Sequence, residues 1–101
     1  MNETQKINLQ KIIDTLNKSG IVFMEYMRRF EPSWSDDDKQ EAKVMLGEMV
    51  LLNQGFQKAL DGEIKGRELE AILSLIPTSQ IVYDELLINV SRWLKQDDQK
   101  S

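Results

Sequence analysis

The chain has 101 residues, 41% hydrophobic and 30% charged, with a net charge of -4 and neither histidine nor cysteine. That length suits one domain with one modest core, and there is no disulfide to hold it. Losing both residue types removes the usual neutral-pH bases, thiolate nucleophiles and His/Cys zinc sites, and the net acidity works against binding polyphosphates or anionic lipid.

Met1 to Lys6 is polar and lacks the apolar run and small-residue cleavage site of a secretory signal, so a cytoplasmic location is expected. The first element is a helix from about residue 4 to 30. Leu9, Leu16, Phe23 and Phe30 recur every seven residues, and Ile12, Ser19 and Tyr26 follow the first three at a spacing of three. Gly20 is its weak point, since a left-handed glycine there would end the helix. The unbroken phase of the stripe across Gly20 favours a single helix, bent there if anywhere.

Glu31-Pro32-Ser33-Trp34 ends this element, because the residue before a proline is pushed out of helical geometry. Ser35 reads as an N-cap, with Asp36, Asp37 and Asp38 in the first turn against the positive end of the helix dipole. Ala42, Met45, Met49, Leu52, Phe56 and Ala59 then carry the second apolar face. Val44 to Leu52, the most apolar run, already contains Gly47 and Glu48 and falls far short of the roughly 20 residues that span a bilayer.

Asp61-Gly62-Glu63 and Lys65-Gly66 mark the next turn. A shorter helix follows with Leu69, Ile72, Leu73 and Ile76, and Pro77 is expected to stop it. Thr78 or Ser79 would cap a last helix whose face carries Val82, Tyr83, Leu86, Leu87, Val90, Trp93 and Leu94, with Trp93 directed into the core. Residues 96 to 101 are a polar tail expected to fray. The fold class is therefore all-α: an up-and-down bundle of three to four helices, the first two long and antiparallel. There are three if the last two run on through a kink at Pro77. Residues 1–95 form a single domain.

Candidate chemistry is sparse. Asp36 to Asp38 and Glu63, Glu68 and Glu70 are clusters without a partner base, nucleophile or phosphate loop, so no catalytic residue, no cofactor and no metal site is assigned and the chain reads as a non-enzyme. Asp61 to Glu68 resembles the second half of an EF-hand loop, with Gly62 at the sixth position and Glu68 at the twelfth. The resemblance implies a degenerate EF-hand-like domain, but positions one and three fall on Gln57 and Ala59, which cannot supply carboxylates. A helix-turn-helix made from the last two helices would present Asp84 and Glu85 to phosphates, so nucleic acid is not expected as a partner. Neither is a membrane.

Methionine and misplaced apolar residues carry the positive signal. Ile21, Val22, Val44, Val50, Leu51, Leu75 and Ile88 lie off the main stripes, and a bundle this small has one inward face per helix. The expected partner is another protein or a second copy of the chain, the role that of an adaptor, regulator or inhibitor or of a dimerisation module. The expected contact cluster is Ile21, Val22, Met24, Met27, Phe30 and Trp34.

Overall fold

The computed structural model describes residues 1–100, and among these every regular element is helical. Helix α1 spans Glu3–Phe30, a single 3-10 turn covers Glu31–Ser33, and α2 spans Asp36–Leu60. Helix α3 spans Gly66–Ser74 and α4 spans Ile76–Lys100. The chain is an all-α small bundle of three rods, the third bent where α3 meets α4.

Local chemistry explains the ends. Asn2 caps α1 through a reciprocal box: its side chain accepts from the Gln5 N–H, and the Gln5 side chain accepts from the Asn2 N–H. Ser35 caps α2 as expected, accepting from the Asp38 N–H. At the far end of α2, Gly62 takes the left-handed conformation with φ 79°, the Gly62 N–H reaches Ala59 O, and the Glu63 N–H reaches Lys58 O. That double bond pattern is a Schellman stop, which needs a glycine because a Cβ is strained at this φ. Buried Ile64 closes the turn against the core.

Helix α1 runs unbroken through Gly20. Leu16, Ser19 and Phe23 are buried on one face to either side of it, so packing holds the helix where propensity alone is weak. Pro77 does not stop a helix. It lies in the first turn of α4, where a missing N–H costs nothing because that donor has no intrahelical acceptor. Thr78 and Ser79 are therefore inside the helix rather than capping it, and the Ser79 N–H bonds Leu75 O across the joint. The polar tail also stays helical to Lys100, because Arg29 Nη1 donates to Asp98 Oδ1 at 2.7 Å and to Asp97 Oδ2 at 3.2 Å.

The three rods run up, down and up. Asn17 meets Asn53 and Gly20 meets Met49, which makes α1 and α2 antiparallel, whereas Ser19 meets Tyr83 and Arg29 meets Asp97, which makes α1 and α4 parallel. Helix α1 packs closely on both neighbours, while α2 and α4 approach each other less closely. The main core is Leu9, Ile12, Leu16, Met49, Phe56, Ala59, Ile76 and Tyr83, roofed at one end by Leu69, Ile72 and Leu73 of α3. Gly55 lets α3 come close, since a Cβ there would lie 3.2 Å from Ile72 Cδ1. A second core at the other end gathers Phe23, Ala42 and Val90 with Val22, Tyr26, Met27, Trp34 and Leu94 around them.

Candidate functional site

Three rods with α1 in common leave two apolar grooves, one on each side of α2. The first lies between α1 and α2. Gly20 opens it, Met49 floors it, and Ile21, Met24 and Val50 stand on its walls with 65%, 51% and 50% of their surface exposed. Asn53 Nδ2 donates to Asn17 Oδ1 at 2.8 Å across this groove, and the Asn53 Oδ1 is buried with no donor among the described residues.

The second groove lies between α2 and α4, a hollow of about 260 Å³. Met45 and Glu48 line one wall, and Val82, Glu85, Leu86 and Asn89 line the other. Tyr83 forms part of the floor. Burial, and then the negative charge of Glu48, push its phenol above the ordinary range. Met45 and Val82 are 40% and 50% exposed although both fall on stripes that the spacing assigns to core faces.

The six residues of the expected contact cluster do not share one surface. Ile21 and Met24 are together in the α1–α2 groove. Val22, Met27 and Trp34 pack half-buried against the second core. Phe30 stacks on Tyr26 at 5.0 Å, and Trp34 lies 5.5 Å from the same ring. Trp93 is not a core residue: it stands 44% exposed with one face on Tyr26 at 5.4 Å. Tyr26 thus gathers every aromatic side chain except Phe56 and Tyr83, forming a plug at one end of the bundle.

Beside that plug, Glu25 and Arg29 tie the end of α1 to α4. Arg29 Nε donates to Glu25 Oε1 at 2.8 Å, and Arg28 Nε donates to Glu25 Oε2 at 3.0 Å. Hydrogen bonds from Arg28 and Arg29 hold the Glu25 carboxyl down to about 2. Bonds to Glu25 and Asp98 raise Arg29 above its already high value. These are structural ion pairs, in which each carboxylate faces an arginine guanidinium.

The segment Asp61 to Glu68 does not form an EF-hand loop. Residues 57–60, which would be its first third, are the last turn of α2, and Gly66 to Glu68 already belong to α3. Among the described residues no three carboxylates converge on a point that would hold a metal ion. The α2–α4 groove escaped the sequence because Met45 and Val82 keep helical phase with true core residues. A signal was present in the acidic residues beside them: Glu41, Met45, Glu48 and Leu52 form one stripe of α2.

One further property bears on these surfaces. An eighteen-residue stretch within Gly66–Lys100 is apolar enough to cross a membrane, yet only 17% of it is buried, so α3 and α4 carry apolar surface that the bundle does not cover. Compared with known proteins, the chain matches no family model, no curated protein and no solved structure.

Proposed function

We propose that this chain is a non-enzymatic protein-binding module, which acts by occupying a surface of another protein. The observation that supports this most directly is the pair of apolar grooves on either side of α2. Their walls keep Ile21, Met24, Met45, Val50 and Val82 in water although the core is already closed by Leu9, Ile12, Phe56 and Val90. Scattered surface leucines are ordinary, but apolar side chains grouped in concave troughs between rigid helices are what helix and loop partners use. The acid whose carboxyl is held furthest below its ordinary value, Glu25, is bound by two arginines, which supports a structural role for it.

The test begins with solution mass by light scattering across a wide concentration range. It continues with the paired variants Ile21→Asp/Met24→Asp and Met45→Asp/Val82→Asp, each checked for helical circular dichroism. A monomer that loses a native-host partner in one pair and keeps it in the other is the expected result. A concentration-independent dimer, dispersed by either pair, would instead assign the apolar surface to self-association.

A further inference from the structure

We propose that the α2–α4 groove seats a single amphipathic helix from another protein, apolar along one side and basic along its flanks. This deepens the protein-binding reading and rests on it. The shape comes first. Val82, Leu86 and Asn89 follow one another at helical spacing along α4 and line the groove, and the seven residue steps from Val82 to Asn89 span about 10 Å. That is the span of two helical turns. Because α1 packs on both α2 and α4 while these two stay further apart, a helix laid between them would complete a four-rod bundle.

Chemistry then says which helix. The floor and lower walls are apolar: Met45, Val82, Leu86 and the ring of Tyr83. The rims are acidic. Glu48 and Glu85 line the groove, and Glu41 precedes Met45 by one turn on the same stripe of α2. The lysines of α2 are segregated to its other side. Lys39 and Lys43 lie on the stripe that continues through Leu46 and Val50, and those two residues face the α1–α2 groove. On α4, Arg92 and Lys95 line a different hollow with Leu87 and Ile88. An apolar trough between glutamates recognises apolar knobs flanked by lysine or arginine. A second copy of this chain is a poor occupant, since a symmetric dimer through this face would set glutamate rims against glutamate rims.

The probe is a fluorescein-labelled eighteen-residue peptide of leucine and lysine, with leucines at the i, i+3, i+4, i+7 spacing of one helical face. It is compared with a peptide of leucine and glutamate at the same spacing, and with a scrambled leucine/lysine peptide that has no apolar face. The patterned basic peptide should bind at least tenfold more tightly than either control. Glu48→Lys/Glu85→Lys should weaken it at least tenfold with helical content unchanged, and Val82→Asp should do the same. Ile21→Asp/Met24→Asp should leave its affinity within twofold, and the methyl resonances of Met45, Val82 and Leu86 should shift on titration while those of Ile21 and Met24 stay in place. Equal binding of the scrambled peptide, or indifference to the charge reversal, would overturn the inference by showing bare charge attraction. Shifts centred on Ile21 and Met24 would overturn it in favour of the other groove. If no peptide binds but a native partner is lost from Ile21→Asp/Met24→Asp, this inference fails and the protein-binding reading stands. If neither groove supports any association, both fail.

Discussion

Helix α1 meets its two neighbours in different ways. Against α2 the contact is apolar, Leu16 and Gly20 on Met49, with the one side-chain bond of Asn17 to Asn53 out at the edge. Against α4 the contact is pinned by polar groups. Fully buried Ser19 donates to Tyr83 O at 3.0 Å, Gln80 Nε2 donates to Thr15 Oγ1 at 2.8 Å, and Arg29 binds Asp97 and Asp98. The difference follows from connectivity. A one-turn link, Glu31–Ser33, sets the register of α1 on α2, while α1 and α4 are parallel and more than sixty residues apart in sequence, with nothing covalent to set theirs. Apolar area holds helices together without directing them, and a buried hydrogen bond selects one register out of several.

Breaking the apolar side should have the largest effect. Phe56→Ala removes a side chain that is 1% exposed at the centre of the main core and should cost about 3 to 5 kcal/mol, read from urea unfolding. Removing the register pin should cost less. Ser19→Ala is expected to lose roughly 0.5 to 1.5 kcal/mol, because Tyr83 O stays within a helix, where its backbone bond partner remains. A drop as large as that of Phe56→Ala would mean that the polar pins hold the bundle rather than orient it.

On the outer side of α2 the sign should reverse. Gly47 is in mid-helix, and a methyl added there would meet nothing within 4 Å, so Gly47→Ala should stabilise by about 0.5 to 1 kcal/mol. The polar latch should show itself in acid. Glu25 is held at about 2 against an ordinary 4.5, so its contribution is complete above 4.5 and is lost as pH falls towards 2. Between those values the wild type should lose more of its urea midpoint than Glu25→Gln does. The smallest change belongs to the groove wall: Ile21→Ser should move stability by no more than about 0.5 kcal/mol.

The fold was legible where one signal dominated. The seven-residue recurrence of Leu9, Leu16 and Phe23 carries α1 through Gly20, and Ser35 with three aspartates marks the start of α2. Pro77 misleads because a proline that ends one helix and a proline that begins the next look the same in sequence; which applies depends on whether the preceding turn finds packing. Trp93 misleads for a related reason. Its phase is inward, but it lies one turn beyond Val90, the last buried residue of α4, against Tyr26 at the end of the bundle, and where the core stops is a property of the assembled bundle. The surface sites were half visible: Ile21 and Val50, which line the α1–α2 groove, are off-stripe in sequence, whereas Met45 and Val82 of the α2–α4 groove are on-stripe and still exposed.

Helix α3 differs from the rest in how it is held. None of its nine residues is fully buried, it starts at a left-handed glycine without a side-chain cap, and it rests on the core through Leu69, Ile72 and Leu73. Its opening free energy is therefore expected to lie below that of the α1 core, and its amide protons should exchange through local opening while those of Leu9 to Phe23 exchange only when the whole chain unfolds. Such an opening would swing a nine-residue flap on the Leu75 joint and wet the core cluster of Phe56 and Ala59 that it roofs, so hydrogen exchange should find the bundle breathing from the end opposite its aromatic plug.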